Sequence, residues 1–143
     1  MYQNADNTSV ENSNLFGEVI YTCTRQQLLE DGYLIDVTET AKEAGFSIPV
    51  ALTRTVWEDC VEWNEEDTKR QTYQDVAGRL WDVIYMACFN ARVNRNNANF
   101  FYEIYRIPRG GKGRKARRVT LKTVIGPGDQ GKPVITIMQP NED

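Results

Sequence analysis

Helical and strand-like patterns occupy different halves of this 143-residue chain, and that segregation limits the folds it can adopt. In the longest helical pattern, over about residues 73–93, an apolar stripe runs through Leu80 and Ile84. Trp81 and Tyr85 widen this stripe, which predicts a helix at the centre of the core. The longer strand-like patterns all follow this helix.

Shorter helices are predicted before it. Thr24 and Gln27 match a capping box, in which two side chains satisfy backbone N–H groups at a helix start. A second helix is expected to end at Gly45, and a third to begin at Thr55. Residues 47–52 contain a proline, which cannot donate a ladder hydrogen bond, so we predict an edge strand or a loop there.

The C-terminal part reads as three strands joined by glycine-rich connections. Residues 100–107 are aromatic and β-branched, and residues 118–125 alternate between apolar and polar side chains. A third strand is predicted over residues 133–139. Because helices precede strands, the sequence predicts an α+β fold, with N-terminal helices packed on a C-terminal three- to four-stranded antiparallel sheet.

The domain organisation is expected to be simple. Residues 1–14 are polar and rich in asparagine, which predicts a disordered N-terminal tail, and residues 15–143 form a single α+β domain. No apolar segment is long enough to span a membrane, and no secretory signal is recognisable. A cytoplasmic protein without a membrane partner is therefore expected.

The residue types present exclude several catalytic chemistries. Histidine is absent, so neither a Ser-His-Asp triad nor a Cys-His pair can form. The three cysteines, Cys23, Cys60 and Cys88, contain no CxxC spacing, which argues against a zinc ribbon and favours reduced, buried thiols. No catalytic residue and no metal ligand is predicted. The sequence favours a non-enzymatic protein, although lysine, arginine, tyrosine or a carboxylate can still serve catalysis.

One loop matches two nucleotide-binding patterns. Residues 126–131 fit GxGxxG, and with Lys132 they fit GxxxxGK. Both patterns require a following helix, whose N-terminus binds the phosphate, whereas Pro133 and a β-rich segment follow here. The glycines are therefore expected to form a hairpin turn, and no cofactor is predicted.

Charge is distributed unevenly along the chain. The formal net charge is −3, yet residues 1–94 hold 16 acidic and 7 basic side chains, and residues 95–143 hold 4 acidic and 10 basic ones. Such asymmetry indicates a charged partner, or two halves that face each other in the fold.

An acidic segment provides one candidate surface. Spacings of three and four residues place several of its carboxylates near one helix face, which can meet a basic protein surface or simply face solvent. The tryptophan within it is the one most expected to be exposed. The protein-binding candidates are Glu58, Asp59, Glu62, Trp63, Glu65 and Glu66.

A basic segment provides the other candidate surface. A flexible loop of glycine, arginine and lysine suits phosphate backbones, although it can also serve only to keep the hairpin solvated. Neighbouring strand residues can extend it onto one face of the sheet. The nucleic-acid-binding candidates are Arg106, Arg109, Lys112, Arg114, Lys115, Arg117, Arg118 and Lys122.

Four blocks of the chain carry a family resemblance. They comprise residues 15–21 leading to 32–37, residues 51–63, residues 78–87 and residues 120–143. Together they resemble an uncharacterised family of small proteins carried on plasmids, phages and integrative elements. The resemblance assigns no site residue. It implies accessory cargo of a mobile element, for which evasion of host defence is a common role.

Three functions follow as expectations. The first is a non-enzymatic accessory protein that binds another protein and thereby inhibits a host defence system. The second is a nucleic-acid-binding protein, or a RelE-like ribonuclease in which Arg118 and Lys122 stabilise the phosphate transition state. The third is a structural or regulatory domain whose partner is a second copy of itself.

Overall fold

A computed structural model describes residues 23–143 of the chain. The tail predicted over residues 1–14 lies outside the described residues. The helices are α1 (Arg25–Glu30), α2 (Thr38–Ala44), α3 (Arg54–Val56), which continues into a π-helical turn (Trp57–Val61), α4 (Glu65–Arg70) and α5 (Val76–Val93). The strands are β1 (Leu34–Asp36), β2 (Val50–Thr53), β3 (Asn99–Arg106), β4 (Arg117–Pro127) and β5 (Pro133–Met138).

The five strands form one mixed sheet in the order β1-β2-β5-β4-β3. The α+β class is confirmed, and so is the antiparallel β3-β4-β5 meander. The expected purely antiparallel sheet is wrong, because β2 runs parallel to β5. β2 is not an edge strand either, because it lies between β1 and β5. Pro49 precedes the strand, so its lack of an N–H group removes no ladder hydrogen bond. Its carbonyl group accepts from the backbone N–H group of Ile135 at 2.9 Å.

Local sequence signals account for several element ends. Thr24 and Gln27 form the predicted capping box of α1. Asp129, in the turn between β4 and β5, also accepts hydrogen bonds from the first backbone N–H groups of α1. The glycine-rich segment before Lys132 forms a hairpin turn, as expected, and the N–H group of Gly128 donates to the Lys132 carbonyl at 2.7 Å.

The core lies between α5 and the inner face of the sheet. Tyr102 of β3 reaches across it, and its hydroxyl donates to the Val83 carbonyl at 3.0 Å. The buried stripe of α5 contains Val83, Ile84, Ala87 and Cys88. The prediction that Trp81 and Tyr85 extend this stripe is wrong, because both lie on the solvent side of the helix. Of the cysteines, Cys60 and Cys88 are buried but Cys23 is exposed.

The third predicted helix is short and irregular. Its N-cap is Thr53 rather than Thr55, and Thr53 Oγ1 accepts from the backbone N–H group of Val56. Glu62 then adopts an extended conformation with ψ 139°, which ends the π-helical turn before α4 begins. Within residues 23–143, no helix is long and apolar enough to cross a membrane.

Candidate functional site

The acidic segment surrounds a guanidinium group from the basic segment. Arg109 Nε donates to Asp67 at 2.9 Å, and its Nη1 donates to the Glu58 carbonyl at 3.2 Å. The Glu62 carboxylate lies 3.8 Å from the same guanidinium. The oppositely charged halves of the chain therefore meet at this point, and part of the charge asymmetry is neutralised within the fold.

The predicted acidic helix face does not exist as one surface. Glu58 and Asp59 lie on the π-helical turn, whereas Glu65 and Glu66 lie in the first turn of α4. The extended segment at Glu62 separates the two elements, so helical spacing does not apply across it. An open cleft of about 370 Å³ around Arg109 is instead lined by Glu58, Asp59, Glu62 and Asp67, and Glu65 and Glu66 are not part of its lining.

Asp67, which the sequence did not single out, is the centre of this cluster. Its side chain is buried and accepts from Arg109, from Arg70 and from the backbone N–H group of Asn64. Burial acts to raise the pKa of Asp67, but the hydrogen bonds from Asn64 and Arg109 and the charges of Arg109 and Arg70 together lower it. Its sequence signals are its place at the end of the acidic run and the Asn-x-x-Asp spacing of a capping box.

Trp63 is buried, so the expectation of an exposed tryptophan is wrong. Its Nε1 donates to Thr68 Oγ1 and to the Thr72 carbonyl, both at 3.2 Å. The guanidinium group of Arg79 lies 4.6 Å from the centroid of its ring. Trp63 therefore serves to join α4 to α5 and is not available to a partner.

Two buried arginines bind the carbonyl groups at the end of the π-helical turn. Arg79 Nε donates to the Val61 carbonyl at 3.0 Å, and Arg106 Nη1 donates to the Cys60 carbonyl at 3.4 Å. Burial, together with the charge of Arg106, lowers the pKa of Arg79 to about 10. Burial also raises the pKa of the Cys60 thiol to about 11, which leaves it an unreactive core group.

Arg106 does not join the predicted basic face. In the sheet register Arg106 pairs with Arg117 and points inward, whereas Lys122 pairs with Phe101 and points outward. Side chains alternate between the two faces along a strand, and Arg117, the partner of Arg106, is an odd number of residues from Lys122. Arg106 and Lys122 therefore lie on opposite sides of the sheet. The prediction that they share a face is wrong.

The remaining basic residues form an exposed loop and strand end. Gln71, directly after α4, anchors the loop, because its Nε2 donates to the Pro108 carbonyl at 2.7 Å and to the Gly113 carbonyl at 2.6 Å. The exposed cations of the loop and of the adjoining strand end are Lys112, Arg114, Lys115, Arg117 and Arg118.

The outer face of β3 and β4 combines aromatic and basic side chains. Phe101 and Tyr105 are 60% and 67% exposed. Lys122 is directly opposite Phe101, and Arg118 is directly opposite Tyr105. Lys122 also donates to the carbonyl group of Glu142, which holds its ammonium group near the C-terminus.

The outer side of α5 carries an exposed apolar stripe, and two of its members, Trp81 and Tyr85, were expected in the core. Trp81, Tyr85, Phe89 and Val93 follow one another at intervals of four residues and are 37%, 49%, 53% and 71% exposed. The rings of Trp81 and Tyr85 stack with centroids 5.9 Å apart. The regular interval was visible in the sequence, but it did not reveal which side of the helix faces the sheet.

Comparisons with known proteins place the chain in a family without assigning it a function. A search of curated proteins and a search of solved structures found no match. One family model, described as a family of unknown function (DUF6573), matches residues 12–143. This match covers most of the chain and confirms the resemblance to an uncharacterised family. The chain therefore belongs to the DUF6573 family.

Proposed function

We propose that the protein acts by binding a partner protein through the outer side of α5. The observation that carries the proposal is the α5 stripe, defined as Trp81, Tyr85, Phe89 and Val93, which forms a continuous row of large, partly exposed apolar side chains. Single exposed apolar residues are ordinary, but contiguous ones mark interaction surfaces. Tryptophan and tyrosine are also enriched among the residues that dominate binding energy.

The geometry suits a helix that lies in an apolar groove. Such helices contact their partners through anchors on one side, separated by three or four residues. The complementary partner surface is therefore an apolar groove that accepts one side of a helix.

The acidic cleft is less suited to be the main contact. Arg109 and Arg70 already lie within 4 Å of its carboxylates, so a basic partner would compete with internal ion pairs. In this proposal Glu58, Glu65 and Glu66 contribute only at the periphery. The protein is then a non-enzymatic accessory factor, and inhibition of a host defence protein by occupation of its apolar groove is the role that fits the mobile-element resemblance.

A capture experiment from nuclease-treated bacterial lysate tests this proposal. The bait proteins are the tagged wild type, a Tyr85→Ser/Phe89→Ser double variant, and Tyr73→Ser, which removes an exposed tyrosine before α5 begins. We expect wild type and Tyr73→Ser to capture the same defined protein, and the double variant to lose it. Capture that does not differ between the baits contradicts the proposal.

Nucleic-acid binding is the second candidate, and the outer face of β3 and β4 favours it. Single-stranded nucleic acids bind where aromatic rings accept stacked bases and cations follow the backbone. Tyr105 beside Arg118 provides such a pair next to the basic loop, and Phe101 lies further along β3 on the same face. A ribonuclease additionally needs a free cation at the phosphate, and Lys122 is already engaged by Glu142.

Fluorescence anisotropy with a labelled single-stranded RNA tests the second candidate. Binding should weaken as salt rises, and Tyr105→Ala should cost about 1–3 kcal/mol, as expected for loss of one stacked base. Lys42→Gln, an exposed charge on α2, is the control and should change little. RNA binding that is absent, or insensitive to Tyr105→Ala, excludes this face.

A further inference from the structure

A cavity of about 430 Å³ lies at the C-terminal end of α5, away from the cleft and the α5 stripe described above. It is bounded by the end of α5, by the connection between α2 and β2, and by β4 and β5. Its volume falls within the range of sites that hold small organic molecules. No residue of the two proposed binding faces lines it.

The walls of this cavity are largely apolar. The side chains that form them are partly or fully buried and also pack against the core, so the cavity is held by the fold and does not depend on one loop. These residues are Phe46, Ile48, Cys88, Ala91, Ile125 and Ile135. The apolar part of a bound ligand would therefore displace water from a preformed apolar surface.

Arg92 of α5, and Arg95 just after the helix, line the same cavity. The ion pairs formed within residues 23–143 include neither Arg92 nor Arg95. Arg92 lies against Gly45, where an added Cβ atom would come within 3.0 Å of its Nη2 atom. The glycine, which also has φ 123°, thus leaves room for the guanidinium group at the cavity.

We propose that this cavity binds an amphipathic organic carboxylate, with its apolar body on the hydrophobic walls and its carboxylate at Arg92 and Arg95. Guanidinium groups bind carboxylates with paired, charge-assisted hydrogen bonds, and an apolar wall adds affinity for the rest of the molecule. A nucleic acid does not fit this combination, because its charges are spread along a polar backbone. The ligand class is an acid with one anionic group and an apolar chain or ring.

Decanoate is a suitable probe, and decanol, which has the same chain without the charge, is its matched control. Titrations of the full chain are followed by ¹H–¹⁵N NMR. We expect decanoate to shift the amide signals of Gly45, Ser47 and Arg95, and decanol to bind about tenfold more weakly. Shifts confined to α5-stripe residues, equal affinity for the two probes, or no shifts would overturn the proposal.

Three variants separate charge recognition from apolar binding. An Arg92→Gln/Arg95→Gln double variant should lower the affinity for decanoate to that for decanol. Ser47→Trp, at an exposed position that lines the cavity, should block both probes, whereas Arg54→Gln, remote from the cavity, should block neither. Decanoate binding that survives Ser47→Trp contradicts this site. Because these variants leave the α5 stripe intact, the outcome is independent of the capture experiment.

Discussion

At the scale of single residues, buried charges organise this protein. Asp67 is 1% exposed and joins two parts of the chain, because it caps α4 and pairs with Arg70 of the same helix, and it also accepts from Arg109 beyond β3. A buried carboxylate is tolerated only when its lone pairs are occupied by donors. Removing its charge therefore leaves Arg109 without its closest anionic partner.

We predict that Asp67→Asn destabilises the fold by about 2–3 kcal/mol at neutral pH, since one member of a buried hydrogen-bonded charge network is lost. Urea denaturation measures the change. Glu65→Gln, at an exposed position in the same helix, is the matched control and should lie within about 0.5 kcal/mol of the wild type. A comparable effect of the two substitutions would show that burial of Asp67 has no special role.

The lowered pKa of Asp67 also predicts how the effect of Asp67→Asn on the free energy of unfolding depends on pH. The pKa of Asp67 in the folded protein lies below its ordinary value of 3.8, so its stabilisation is fully present above that value. It is lost as the pH falls through the folded-state pKa. The difference in unfolding free energy between wild type and Asp67→Asn should therefore be constant from pH 7 to about pH 5 and narrow below about pH 4. A difference that widens on acidification contradicts the assignment.

At the scale of elements, α4 acts as the anchor of the basic loop. Gln71 spans the base of the loop through the carbonyls of Pro108 and Gly113. Arg109 ties the same base to Asp67. These bonds hold the start of the loop, while its cationic tip stays exposed to solvent.

We predict that Gln71→Ala loosens this loop without unfolding the domain. Loss of two hydrogen bonds should raise the rate of the first tryptic cleavage within residues 109–118 roughly tenfold, because local opening becomes easier. Limited proteolysis with mass spectrometry identifies the first site. Gln26→Ala, an exposed glutamine of α1, serves as the control. An unchanged first cleavage rate in Gln71→Ala would reject the anchoring role.

The elements that could be predicted from sequence are those with local signals. Thr24 and Gln27 define the start of α1, and the alternation in β4 follows its burial on one face. β1 could not be found in this way, since three residues give no alternation. The parallel pairing of β2 with β5 joins segments some 85 residues apart, for instance Val50 with Ile135, which no local pattern encodes.

The candidate site was less predictable than the fold. Helical spacing grouped carboxylates that the break at Glu62 separates, and alternation alone did not establish the register that turns Arg106 inward. Trp81 and Tyr85 belong to a helix with apolar residues on several sides, so their exposure depends on which side the sheet covers. These features are determined by tertiary packing and not by residue type.

At the scale of the whole molecule, α5 packs on the inner face of the sheet, and two aromatic surfaces stay exposed. The α5 stripe points away from the sheet on one side, and Phe101 and Tyr105 lie on the outer sheet face. The acidic and basic halves of the chain meet around Arg109. The two surfaces can therefore be tested separately, because a substitution in one does not touch the other.

Site-specific photocrosslinking in bacterial cells compares the two surfaces most directly. Tyr85→p-benzoyl-phenylalanine places the crosslinker in the α5 stripe, and Tyr105→p-benzoyl-phenylalanine places it at a similarly exposed tyrosine on the sheet. We predict a discrete protein adduct from position 85 and none from position 105. An adduct from position 105 alone, whether to protein or to nucleic acid, would contradict the claim that the protein acts through α5.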